Sequence, residues 1–439
     1  MKIPQKILTR SLLNTCTLFL LSLLHANPLF AIPKDANIDE TKVPKFTLPN
    51  PLVMSDGTPV TSSHQWSARR RGEILNLFRE HVYGHAPDGL PKELTYQVLK
   101  TVPDFLNGKA SMKEIRVLFN GKKNGPKMDI LLIVPKTKNK PVPAFIGLNF
   151  GGNHTILADP RITLSRSWMR PKKDGLVVDH QATEKSRGSS SSRWPVETII
   201  DRGYALATVY YGDIDPDFDD DFKNGIQPLF YRDGQTKPAP NEWGSIGAWS
   251  WGLSRALDYF ETDQDIDARK IAVIGHSRLG KTSLWAGAQD QRFAIIISND
   301  SGCGGAALSR RRFGEKVKRI NTSFPHWFND RFNDYNDNEN ALPVDQHELI
   351  TLIAPRPVYI ASAAEDQWAD PKGEFLSGKY AEPVYALFGK KGLGTEQHPP
   401  IDQPTGDFIR YHVRSGKHDV TDFDWAQYLD FADRHLPKK

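Results

Sequence analysis

A serine flanked by glycines at the end of an apolar run is the feature of this chain best suited to chemistry. Ile271 to Gly280 reads IAVIGHSRLG. Its Gly275-His276-Ser277 follows the nucleophile-elbow pattern, in which a tight strand-to-helix turn lifts a serine hydroxyl above a sheet edge. The second glycine falls at Gly280. The setting agrees: Ile271 to Ile274 predicts a buried parallel strand, and Lys281 to Gly287 opens a helix.

Such a hydroxyl attacks an ester only if a base takes its proton, usually a histidine oriented by a carboxylate. On α/β-hydrolase sheets that histidine follows the serine and the acid in the chain, on a late loop. His418 fits: Tyr411 to Arg414 predicts a short strand, Ser415-Gly416-Lys417 a turn, and Trp425 to Leu436 a closing helix. His412 is the reserve. Two strand ends can supply the acid, Asp300 in SNDSGCGG and Asp366 in SAAEDQWADP. Asp366 is favoured, and Glu365 is a third choice. Attack also builds negative charge on oxygen, which needs donors already in place. Asn149 to Asn153, NFGGN, follows a predicted strand as a glycine-rich loop, and Arg278 adds a backbone N–H and a guanidinium next to the nucleophile.

The elements that must position these residues suggest an α/β-hydrolase fold, a three-layer sandwich with a largely parallel central sheet. Strands are predicted at Ile115 to Phe119, Met128 to Val134, Ala144 to Asn149, Tyr204 to Tyr210, Ile271 to Ile274, Ala294 to Ser298 and Val358 to Ser362. Helical spacing predicts Trp66 to Tyr83, Gly247 to Glu261 and Lys281 to Ala288. Early strands followed by alternating strands and helices place one α/β catalytic domain over 66–439. Two long polar stretches, 156–195 and 310–343, read as insertions.

The first 31 residues carry Lys2, Lys6 and Arg10 before the apolar run Leu12 to Leu24. That is the pattern of a secretory signal peptide, too short for a spanning helix. It directs the chain to the periplasm or the exterior, with no membrane attachment after its removal. Residues 32–65, rich in Pro, Thr, Asp and Lys, read as an extended arm. Removing the signal lowers the formal charge from +5 to about +2, which gives no support to nucleic-acid binding. Cys303 is then the only cysteine, so no intramolecular disulfide can form. A monomer is expected.

Taken in order, GHSRLGK at Gly275 to Lys281, NDSGCGG at Asn299 to Gly305, LIAPRP at Leu352 to Pro357, EDQWADP at Glu365 to Pro371 and GKHD at Gly416 to Asp419 resemble the glucuronoyl esterases of carbohydrate esterase family 15. The resemblance covers most of the chain after residue 31. It implies α/β-hydrolases that cleave esters between 4-O-methyl-glucuronic acid on xylan and lignin alcohols, without metal or organic cofactor. It also implies Ser277 as nucleophile, His418 as base and Arg278 as oxyanion donor. Lys281 becomes a donor to sugar hydroxyls, Trp368 a wall beside the sugar and Glu315 a hydroxyl acceptor. Lys281 lies one helical turn from Ser277, so both can face one pocket.

The chain departs from the pattern in three respects. His276 stands where many members have cysteine, and its side chain is expected to point away from the hydroxyl. Asp300 replaces a glutamate of the fungal relatives, which raises the standing of Asp366. The missing disulfides point to the bacterial branch. The alternatives are an acetyl-xylan or other carbohydrate esterase on the same fold and a non-catalytic carbohydrate-binding protein.

Overall fold

The computed structural model describes residues 32–172 and 174–436, so the signal peptide read at 1–31 lies outside the described residues. The described residues from Ala36 onward form one compact unit, and the site lies in it. The strands in chain order are β1 (Thr95–Phe105), β2 (Ala110–Leu118), β3 (Lys127–Pro135), β4 (Val142–Asn149), β5 (Val177–Val178), β6 (Gln181–Ala182), β7 (Ala205–Tyr210), β8 (Ile266–His276), β9 (Ile295–Asn299), β10 (Val358–Ala363), β11 (Thr405–Gly406) and β12 (Ile409–Arg414). Strands β5 and β6 form a separate ribbon; the other ten make one sheet in the order β1-β2-β3-β7-β4-β8-β9-β10-β12-β11. From β7 to β12 every neighbouring pair is parallel, whereas β1, β2 and β3 are antiparallel to their neighbours.

The central parallel strands carry long apolar runs because helices cover both of their faces. Along β8, Ile271 and Val273 join one core with α2 (Arg71–Phe78), α4 (Ser245–Phe260), α5 (Arg278–Gln289) and α8 (Pro371–Ala386). Ala272 and Ile274 join the other, with α3 (Val196–Asp201) and α9 (Asp422–His435). The sheet is thus the middle of three layers, an α/β-hydrolase architecture. The long helical pattern starting at Trp66 is interrupted: α1 (Ser63–Gln65) and α2 are joined by π-helical residues Trp66–Arg70, and a second such stretch, Arg79–Tyr83, follows. Two further helices, α6 (Val317–Ser323) and α7 (Gln346–Thr351), lie in and after the second insertion.

The edge strand β1 and the helices α3, α6, α7 and α8 are absent from the sequence reading. β1 is largely exposed, so its alternation carries little apolar signal, and Pro103 interrupts it. Helix α8 contains Gly373, Gly378 and Pro383, which lower the propensity expected of a helix interior. Between residues 36 and 62 the chain lies against the domain through individual bonds. Gly314 N–H donates to Asn37 O at 2.7 Å, and Glu40 pairs with Arg311 and Lys372.

Candidate active site

The nucleophile, both candidate aspartates, the preferred base and the glycine-rich loop each follow the carboxyl end of a parallel strand, the edge where open α/β sheets place their ligands. Asn149 to Asn153 follow β4, Ser277 follows β8, Asp300 follows β9, Asp366 follows β10 and His418 follows β12. Ser277 has φ 59° and ψ −129°, a region that L-residues occupy only when the surroundings impose it. The imposition is visible in the bonds: Ser277 N–H donates to Asn299 O at 2.9 Å, and Gly280 N–H returns to Ser277 O at 2.9 Å. At Gly275 an added Cβ would sit 1.8 Å from the Leu279 carbonyl oxygen, so only glycine lets the chain turn back this tightly. As the first residue of α5, Arg278 has a backbone N–H with no acceptor four residues earlier within the helix.

Nδ1 of His418 lies 2.6 Å from Asp366 Oδ2. A carboxylate can only accept, so Nδ1 carries the proton of this bond, and in the neutral imidazole the lone pair is on Nε2. Asp300 joins this group, with ligand atoms of Asp300, Asp366 and His418 within 4.8 Å of one another. Its environment differs from that of Asp366. It is 2 % exposed, it receives Asp419 N–H at 3.3 Å, and its Oδ1 is buried with no hydrogen-bond partner. Burial, followed by the charges of Asp366 and Glu374, pushes its carboxyl well above the ordinary value. The Arg414 guanidinium, 3.5 Å from Asp300 Oδ2, opposes that shift.

The other candidates separate clearly. His412 is a buried core histidine inside β12, bonded to Asp424 at 2.9 Å and to the Tyr359 hydroxyl at 2.9 Å, so it is not available as the base. Glu365 is exposed, and its N–H donates to Gly416 O at 3.0 Å. His276, beside the nucleophile, lies against the base. Its ring packs 4.4 Å, centroid to centroid, from that of His418, and its Nδ1 lies 2.6 Å from Asn299 Oδ1. Because the neighbouring residue touches His418, the elbow and the base share one place.

Lys281 is buried, and its ammonium donates to Ser301 O at 2.5 Å. Burial lowers its pKa, opposed by the charge of Glu315. Burial raises that of Glu315, opposed by Lys281 and then Arg278. The three charges therefore act on one another. Glu315 N–H donates to Trp368 O at 3.0 Å, and Gly314 makes this approach possible: its φ is +61°, and a Cβ there would meet Trp368 O at 2.4 Å. In the loop after β4, Gly152 N–H is committed to Asn149 Oδ1 at 2.7 Å, while the Phe150 ring lies 5.5 Å from the Arg278 guanidinium carbon. Cys303 is free and buried.

Sequence reasoning missed the side chains that hold the His418 loop. Arg414 donates to Lys417 O at 2.8 Å and to Asp419 O at 2.5 Å, so the loop wraps around its guanidinium. Asp424 anchors that guanidinium at 2.8 Å and accepts from Asn299 at 3.2 Å and from Thr421 N–H at 2.7 Å, where it completes the capping box of α9. Asp424→Ala leaves Arg414 and His412 buried without their shared partner. We expect it to cost about 3–5 kcal/mol of stability in urea unfolding. An unchanged midpoint would contradict this role.

A family model described as glucuronyl esterase, fungi, matches residues 227–389. A carbohydrate esterase from an unknown prokaryotic organism is 54 % identical over 408 residues, 93 % of this chain and 94 % of that protein. Among solved structures, a promiscuous CE15 esterase from a marine bacterial metagenome is 54 % identical with a TM-score of 0.86, covering 91 % of this chain and all of the other. A glucuronoyl esterase from Solibacter usitatus is 51 % identical with a TM-score of 0.86, covering 90 % of this chain and all of the other. Together with the fold and the arrangement around Ser277, these likenesses identify the chain as a member of carbohydrate esterase family 15, the glucuronoyl esterases.

Proposed function

We propose that this chain hydrolyses esters of glucuronic acid, with 4-O-methyl-glucuronoyl esters between glucuronoxylan and lignin alcohols as the natural substrate class. The observation that carries the reading is the buried Lys281 with Glu315 and Arg278 beside the elbow serine. A polar, charged pocket of this kind suits a hydroxylated uronate ring, whereas an acetyl group would leave those polar groups unpaired. Trp368 offers an aromatic face for the apolar side of the ring.

In the proposed reaction Ser277 Oγ bonds to the C6 carbonyl carbon as its proton passes to His418 Nε2, and the carbonyl electrons move onto oxygen. Arg278 stabilises that oxyanion. When the tetrahedral adduct collapses, the C–O bond to the alcohol breaks and His418 returns the proton to the departing oxygen. Water, deprotonated by His418, then releases the uronic acid and restores the serine. Asp366 holds the imidazole in the required tautomer and stabilises its charged form.

We also read 66–439 as the catalytic domain, and the chain as exported to the periplasm or the exterior and acting as a monomer. No helix among the described residues is long and apolar enough to cross a membrane.

The test is a comparison of kcat/KM on benzyl glucuronate and on an acetylated xyloside. The expected preference for the uronate is at least about tenfold. Since one relative is described as promiscuous, some acetyl activity is compatible with the proposal, but a preference for acetate would overturn it.

A further inference from the structure

Arg278 ends against a carboxylate that the reaction above does not use. Its Nη1 donates to Asp217 Oδ2 at 2.5 Å, and the Asp217 side chain is 3 % exposed. That carboxylate also receives the Tyr211 hydroxyl at 3.0 Å on Oδ2, with His326 Nε2 at 2.9 Å and Trp327 Nε1 at 2.8 Å on Oδ1. Both oxygens therefore have two partners, close to a carboxylate's full complement. Burial alone would raise the Asp217 pKa. The His326 hydrogen bond, the Arg278 charge and the Trp327 hydrogen bond overcome this and hold the acid well below the ordinary range, so it stays an anion.

The guanidinium is confined laterally as well. Its carbon lies 5.5 Å from the centre of Phe150, 5.8 Å from Phe324 and 4.9 Å from Trp327. Phe324 and Trp327 stack on each other with centroids 3.7 Å apart. Arg278 Nε is buried with no hydrogen-bond partner, so the clamped group retains an unspent donor.

The clamp is drawn from separate parts of the chain. Tyr211 and Asp217 lie on the segment after β7, and His326 and Trp327 belong to the second insertion. The backbone carbonyls of His326 and Trp327 accept the first amides of α4, Ser245 N–H at 2.8 Å and Ile246 N–H at 3.1 Å. Arg170 of the first insertion donates to Asp217 O at 2.8 Å.

We propose that Asp217, held by His326, Trp327 and Tyr211, is a positioning residue that fixes the Arg278 guanidinium where the oxyanion develops, and that both insertions serve this purpose. The inference rests on the esterase reading of the site. An unrestrained arginine samples many rotamers, and a donor stabilises a transition state best when it is already in place.

The test is a double-mutant cycle of Asp217→Asn and Arg278→Ala on benzyl glucuronate, with thermal melting of each variant. Asp217→Asn should lower kcat about 10- to 100-fold, the range for orienting partners, with KM changed by less than about threefold. In the Arg278→Ala background the same change should alter kcat by less than about twofold, because the residue it positions is gone. Losses that multiply, or an unchanged kcat in a folded Asp217→Asn protein, would overturn the proposal. If Asp217→Asn does not fold, His326→Gln takes its place in the cycle, with a smaller loss expected and the same criterion. Ser277→Ala serves as the control. Activity surviving in it would mean that the serine mechanism proposed for this site fails, whereas an inactive control with multiplying losses would remove only the clamp.

Discussion

Ser277→Ala is expected to lower turnover of a glucuronate ester by about 10⁶-fold, the scale on which a serine triad depends on its nucleophile. The fold should survive. The elbow is set by backbone bonds, Ser277 N–H to Asn299 O and Gly280 N–H to Ser277 O, and alanine keeps both. Product binding should persist too, because Lys281, Glu315 and Trp368 are untouched, and calorimetry with glucuronic acid checks this. A folded, binding-competent variant that still turns over at a tenth of the parent rate would mean that some other group attacks the ester.

The second large effect separates the two acids. Asp366 touches Nδ1 of His418 at 2.6 Å, so Asp366→Asn should cost about 10⁴-fold in kcat, as when an amide forces the wrong imidazole tautomer. Asp300→Asn should be mild, because burial disfavours the charged form of that acid, and the amide is likewise uncharged. Stability supplies an independent check with a definite sign. A carboxyl whose folded pKa lies above its ordinary 3.8 binds more protons in the native than in the unfolded state between the two values. Stability therefore falls as pH rises through that window. Asparagine removes the titration, so Asp300→Asn should gain on the parent in melting temperature as pH rises above that ordinary value. Equal losses of activity from both substitutions would show that the acids share the task.

How much of this was legible depends on what each residue must satisfy locally. The central strands could be read because a segment buried on both faces has to be a continuous apolar run, as in β4, β8 and β9. Ser277, Arg278 and Lys281 were legible because the elbow and one helical turn relate them by fixed geometry. His412 and His418 could not be separated by spacing alone. The predicted strand at Tyr411 to Arg414 and the turn after it favoured His418, and the bonds that hold His412 in the core, to Asp424 and Tyr359, show only in the structure. Asp217 lies among Asp213, Asp215, Asp219, Asp220 and Asp221, a run that reads as a solvated loop. Nothing local reveals that one member is buried against Arg278, since two of its partners, His326 and Trp327, come from more than a hundred positions away. The same holds for Arg414 and Asp424, whose bonds cross from strand to helix. The packing of His276 on His418 was not legible because a turn viewed in isolation does not show which late loop will pack on it.

The account depends on Ser277 forming a covalent acyl bond with His418 as its base. The most direct measurement is labelling with a reactive phosphonate ester, followed by peptide mass mapping of the parent and of His418→Ala. The prediction is one adduct per chain, located on Ser277 and formed far more slowly without the imidazole. An adduct on a different residue, or full esterase activity in a chain that takes no label, would contradict it.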